Sequence, residues 1–159
     1  MRKPIFVAAL LASLLAVAAP VLAAGNVNPA TLAQQDVAAE SRGDVAAALA
    51  LYSDDAIIQG GGLCATAPCV GKAAIQHELE RRVAAKNHAT IVGKYVSGNV
   101  AVVKAEVKIG FIEWTGVDHV VVWTIYETKG DKIAVATLVG QRTDPQTARF
   151  IEICCSKPR

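Results

Sequence analysis

The amino-acid sequence predicts an α+β fold in which three helices cover one face of a curved antiparallel sheet. Two observations carry that expectation. The first is order: two helical segments, a short strand and a third helix precede a run of strands separated by turns, and such segregation places helices on one side of a sheet. The second is pattern. Val103, Ala105, Val107, Ile109 and Phe111 alternate with Lys104, Glu106 and Lys108, which makes one face of that strand wet, whereas residues 117–126 are almost continuously apolar.

The chain opens with Met1-Arg2-Lys3, an apolar run from Ile5 to Ala19, and Pro20-Val21-Leu22-Ala23. A charged start, an apolar centre and small residues at minus three and minus one are the pattern of a cleavable secretory signal, expected here over residues 1–23. Pro20 interrupts the apolar run and no basic cluster follows, so a membrane anchor is not expected once the signal is cleaved. Residues 24–159 are then long enough for a single domain with one core. Lys and Arg number 16 and Asp and Glu 14; without Arg2 and Lys3, residues 24–159 carry 14 of each sign. No basic stripe remains to neutralise a row of phosphates, so nucleic acid is not an expected partner.

After a polar entry, the first helix is expected from about Ala30 to Ser41, stopped by Gly43. Asp44 caps a second, in which Val45, Ala48, Leu49 and Tyr52 share one face and which should end near residues 53–55. Ala56-Ile57-Ile58-Gln59 reads as a short strand. Ile75, Leu79 and Val83 form the stripe of a third helix over residues 72–86, where Glu78 can pair with Arg82 and His77 faces solvent. Strands follow at 88–96, after Ser97-Gly98-Asn99, at 117–126 and at 132–139.

The segment "QGGGLCATAPCVGK", residues 59–72, admits several chemistries. A phosphate-binding loop would need a glycine five residues before Gly71 and a hydroxyl after Lys72, but those positions hold Thr66 and Ala73. Cys64 and Cys69 supply two zinc ligands where four are needed. A redox pair wants a tighter spacing, although Cys69 does precede a helix. In an exported chain the expected state is a Cys64–Cys69 disulfide closing a tight tip. Cys154 and Cys155 remain unassigned, because four cysteines allow three connectivities.

"RGDVAAALALYSDDAIIQ" followed by "GKAAIQHEL", with "VVVWTIYETKGDKIAVA" near the C-terminus, resembles the nuclear transport factor 2-like superfamily, in particular its SnoaL-like members. The resemblance covers most of residues 30–145. It implies a cone-shaped barrel with an apolar cavity between sheet and helices, often in a homodimer joined through the sheets. Tyr52, Ile58, Val120, Val122 and Thr124 are the residues expected to line that cavity. Among catalytic relatives, ketosteroid isomerases carry a carboxylate base at the position matched here by Gly60. Their oxyanion donors, a tyrosine and a protonated acid, fall at Asp36 and Val122. Those matches are absent.

His119 is the one histidine inside a core strand segment and sits beside Asp118; by parity it groups with Val121 and Trp123, away from Val120, Val122 and Thr124. Three functions are therefore weighed. The leading expectation is an exported domain that binds a small hydrophobic molecule, without a complete acid–base site and without cofactor or metal. The second is an enzyme of the isomerase, cyclase or hydrolase kind using Asp55 or His119 as catalytic groups. The third is a structural dimerisation module.

Overall fold

The computed structural model describes residues 27–110 and 112–155. The signal segment expected over residues 1–23 lies outside them, as does Phe111. The element order is α1 (Pro29–Ser41), α2 (Val45–Ala50), β1 (Tyr52–Gln59), a 3-10 turn (Gly62–Ala65), β2 (Cys69–Val70), α3 (Gly71–Ala84), β3 (His88–Ser97), β4 (Val100–Lys108), a second 3-10 turn (Ile112–Thr115), β5 (Val120–Lys129), β6 (Lys132–Gly140) and α4 (Pro145–Cys155).

Each of the first two helices begins at a side chain that accepts an orphan backbone N–H. Asn28 Oδ1 accepts from Ala30 and Asp44 Oδ1 from Ala47, both at 2.9 Å. The six strands form one curved, unclosed sheet in the order β2-β1-β6-β5-β4-β3. Register shifts in the β1–β6, β3–β4 and β5–β6 pairings bend it. Side chains alternate across the pleat, so the inner face is built in rows: Ala101, Tyr126 and Ala136; Val103, Thr124 and Leu138; Ala105, Val122 and Gly140. The helices α1, α2 and α3 cover one end of that face, enclosing Leu32, Ala48, Tyr52, Ile58, Ile75, Leu79, Val103 and Ile133. A second, smaller cluster gathers Ile112, Val117 and Val120 with Val107, Ile109, Val122 and Phe150.

The α+β class holds, with three differences in detail. The sheet is mixed, because β1 runs parallel to β6 while its other partner, β2, is antiparallel. A fourth helix, α4, follows the last strand. Its start was legible in Asp144-Pro145-Gln146-Thr147: Asp144 Oδ1 accepts from both the backbone N–H and the hydroxyl of Thr147 at 2.7 Å. Finally, Tyr52 opens β1 instead of closing α2. Local periodicity favours the helix there, but a buried hydrogen bond of the Tyr52 hydroxyl, described below, is available only from the strand.

The glycine-rich segment is shaped by close approach. Gly60 has φ +88°, and a Cβ there would run into the carbonyl oxygen of Leu138. Gly62, at φ +60°, lies against the Glu78 and Arg81 side chains with no room for a methyl group. Cys64 and Cys69 are joined by a disulfide, Cα atoms 5.2 Å apart, which ties the 3-10 turn to β2. Cys64 is buried, and its carbonyl accepts from Gly60 N at 3.0 Å.

Replacing both cysteines by alanine should lower stability by about 2 kcal/mol, the closure entropy of so short a loop, with an unchanged far-ultraviolet spectrum. Gly60→Ala should cost more than about 2 kcal/mol, since it adds a backbone clash to the positive φ. Gly98→Ala has a similar φ, +58°, but meets nothing within 4 Å. It should cost about 1 kcal/mol. Urea denaturation checks all three.

Candidate functional site

The inner face of the sheet beyond the helices bounds a cavity of about 830 Å³. Its floor is Ala105 and Val107 of β4, Val120, Val122 and Thr124 of β5, and Leu138 and Gly140 of β6. Gly60 to Gly62 and Ala65 form one wall, and Thr147, Phe150, Ile151, Ile153 and Cys154 of α4 another. Trp114 also borders it. Most of this surface is aliphatic or aromatic. The charged exceptions are Glu40 at the end of α1 and Arg81 near the end of α3; Ser41, next to Glu40, and Asn87, six residues after Arg81, also border it.

Helical spacing assembles that polar end. On α3, Glu78, Arg81 and Arg82 stand three and four residues apart, so both guanidinium groups reach one carboxylate. Arg81 Nε and Nη2 donate to Glu78 Oε2 and Oε1 at 2.8 Å each, and Arg82 Nε donates to Oε1 at 2.7 Å. Arg82 Nη1 then crosses to α1, donating to both oxygens of Glu40 at 3.0 and 3.3 Å. Glu78 is fully buried and Arg82 nearly so. Burial opposes the Arg82 charge, but Glu40 and Glu78 outweigh it and hold the guanidinium above its usual range. The result is an alternating chain, Glu40–Arg82–Glu78–Arg81. Deleting one member would strand a buried charge.

One turn before Glu40, Asp36 is buried behind the cavity wall. The hydroxyls of Tyr52 and Tyr126 both donate to its Oδ2 at 3.0 Å. Desolvation, reinforced by the Glu40 charge, pushes the Asp36 carboxyl up to about 8, while Arg82 and the two tyrosine hydrogen bonds pull the other way. Burial first, and the neighbouring Asp36 second, hold both tyrosines well above their ordinary range. Near neutral pH the group is therefore a carboxylic acid accepting two hydroxyl hydrogen bonds. Its Oδ1 is buried and has no partner.

The expected cavity residues divide. Val120, Val122 and Thr124 are on the floor, as strand parity suggests, whereas Tyr52 and Ile58 are buried in the helix-covered core and do not border the cavity. Asp55 is exposed on β1, where the Ser53 hydroxyl donates to it at 2.9 Å and holds its carboxyl below the usual carboxylate range. His119 is half-buried just before β5 and is not part of the lining. Asp55 and His119 are thus not brought together at the cavity. Glu40, Arg81 and Asn87 are, and sequence reasoning passed over them; the only signal was the four-residue spacing of Asp36 with Glu40 and of Glu78 with Arg82. Among the described residues no group of three or more His, Cys, Asp or Glu side chains is placed to hold a metal ion.

A profile of the SnoaL-like domain matches residues 33–136. The chain belongs to the SnoaL-like domain family. As a SnoaL-like protein it shares its fold with several solved structures. One is a putative polyketide cyclase from Sinorhizobium meliloti, 23% identical, with TM-score 0.59 over 69% of this chain and 94% of that one. Another is the epoxide hydrolase/cyclase-like enzyme SalBIII of pyran ring formation in the polyether salinomycin, 15% identical, with TM-score 0.63 over 73% and 92%. A third is an NTF2-like protein of unknown function from Cytophaga hutchinsonii, 11% identical, with TM-score 0.59 over 74% and 93%. No curated protein sequence matches the chain significantly. In this SnoaL-like chain, α4 lies beyond the matched residues, so one wall of the cavity is supplied from outside the family's shared segment.

The buried acid gives the domain a characteristic pH dependence. Asp36 keeps its proton in the folded state up to about pH 8, whereas in the unfolded chain it loses it near the ordinary carboxylate value of 3.8. The folded state thus binds the extra proton between these values, and stability falls as pH rises through that window, by up to about 1.4 kcal/mol per pH unit. Asp36→Asn keeps an acceptor for both tyrosines and removes the titration. Urea midpoints at pH 5 and pH 8 should differ by clearly less in the variant than in the wild type.

Proposed function

We propose that the protein is exported by cleavage of residues 1–23 and binds a small hydrophobic molecule in its cavity, without a complete acid–base site. The observation that carries this reading is the cavity itself. Its volume of about 830 Å³ suits a small molecule, and its lining is mainly Ala, Val, Leu, Ile and Phe. The isomerase-type positions hold Gly60, Val122 and Asp36; the first two carry no ionisable group, and Asp36 is turned to Tyr52 and Tyr126 away from the lining. The Cys64–Cys69 disulfide fits an oxidising compartment. No helix among the described residues is long and apolar enough to cross a membrane.

A cyclase- or hydrolase-like activity is the second reading. It is favoured by the Glu40 carboxylate on the cavity wall and by what the names of the Sinorhizobium and salinomycin structures say of those proteins. The proposal also includes a homodimer through the outer sheet face, where Tyr95, Trp123 and Val139 are exposed.

Native mass spectrometry of exported, unboiled protein should detect a co-purified apolar ligand, and the neutral fluorophore N-phenyl-1-naphthylamine should brighten on binding. Val122→Trp, which fills the floor beside Ala105 and Gly140, should weaken probe binding more than tenfold without loss of stability. Wild-type protein that neither carries a ligand nor binds the probe overturns the reading.

A further inference from the structure

Resting on that ligand-binding reading, we propose that the cavity takes an apolar molecule ending in a single carboxylate, of the fatty-acid class, and that Arg81 is the residue that holds its head group.

The guanidinium of Arg81 is fixed by one edge. Its Nε and Nη2 donate to Glu78 at 2.8 Å each, and Gly62 lies so close to the same two side chains that no methyl group would fit there. Nη1, by contrast, has no partner among the described residues. The buried side-chain atoms left unpaired among those residues are Asp36 Oδ1, Arg82 Nη2 and Asn87 Oδ1. Nη1 of Arg81 is not one of them, so it keeps open surface, on a side chain that is 32% exposed and borders the cavity. A guanidinium carries its donors in a rigid fork, so one edge can be held by Glu78 while Nη1 serves a ligand.

The sign of the head group follows from which end of the ion-pair chain is left unused. The chain Glu40–Arg82–Glu78–Arg81 has an anion at one end and a cation at the other, and both ends border the cavity. They are not equivalent. Both oxygens of Glu40 already accept from Arg82, at 3.0 and 3.3 Å, and its side chain is only 15% exposed. An incoming anion therefore finds a ready donor, whereas an incoming cation finds a carboxylate already engaged. One unused cationic group matches one carboxylate; a phosphate dianion would outnumber it. Partial exposure of Arg81 also limits the desolvation cost, since a carboxylate beside it keeps water on one side. The apolar tail then lies among Val120, Val122, Leu138, Phe150 and Ile153.

Displacement of N-phenyl-1-naphthylamine by decanoate, 1-decanol and decylammonium at pH 7 tests this. Wild-type protein should bind decanoate about tenfold more tightly than decanol, the strength of one charge-assisted hydrogen bond. That preference should fall to about onefold in Arg81→Gln, where Glu78 keeps its bond from Arg82, and to about threefold in Arg81→Lys, which restores the charge without the fork. A readout that needs no variant is carbon-13 NMR of carboxyl-labelled decanoate bound to the wild type. Its carboxyl should titrate below the free acid, because a neighbouring cation favours the charged form. Titration above the free acid would place the head in apolar surroundings and overturn the proposal. Decanoate binding no more tightly than decanol, or decylammonium binding tightest, would overturn it too, while leaving the ligand-binding reading in place. Failure of all three ligands and of the probe sinks both together.

Discussion

The hydroxyls of Tyr52 and Tyr126 meet on one oxygen of Asp36, and the seating of the first helix over the sheet depends on that meeting. Tyr52 opens β1 and Tyr126 stands in the middle of β5, so a single side chain on α1 engages strands on either side of β6. Neutral Asp36 can accept both bonds without an ion in the core. One helical turn later Glu40 repeats the device in charged form, reaching through Arg82 to Glu78 on α3. Two polar contacts, one neutral and one ionic, thus fix α1 to the sheet and to its neighbouring helix. Leu32, Ala33 and Ala39 fill the apolar space around them.

The cavity follows from where that covering stops. The three helices that carry most of the buried core lie over one end of the sheet, and Tyr126 with Ala101 and Ala136 marks the covered rows. Further along the strands the inner face passes to Val122 and Ala105, which border open space. Small residues on that floor, Ala105 and Gly140, leave volume that larger ones would occupy. The polar chain from Glu40 to Arg81 sits at this boundary, which is why its last member can face inward while its centre is fully buried.

Periodicity in the sequence was sufficient for α1, α3 and the antiparallel strands, because alternation in residues 100–108 and the stripe Ile75–Leu79 report directly on which side is covered. It was insufficient wherever a distant partner outweighed local preference. Tyr52 continues a helical face in sequence and leaves it in the fold, since its hydroxyl bonds to a residue sixteen positions away. The parallel pairing of β1 with β6 joins segments about eighty residues apart and has no local signature. For the site, strand parity separated Val122 and Thr124 from Trp123, whose indole instead donates to Gln141 at 3.0 Å on the other face. Glu40, Arg81 and Asn87 could not be read in the same way. They border one cavity from α1, from α3 and from the turn after α3, an arrangement that tertiary packing sets and local spacing does not show.

The two walls of the chamber are held by different kinds of bond. Residues 60–65 are tied to β2 by a covalent link between Cys64 and Cys69, whereas α4 is held through Thr147 to Val121 N, Gln146 to Asp118 N and Arg149 to the Thr115 carbonyl. A thiol reductant therefore acts directly on the tie of the first wall, whereas the hydrogen bonds of the second answer to temperature and denaturant. The same enclosed volume answers to two independent features of its surroundings, electron availability on one side and thermal agitation on the other.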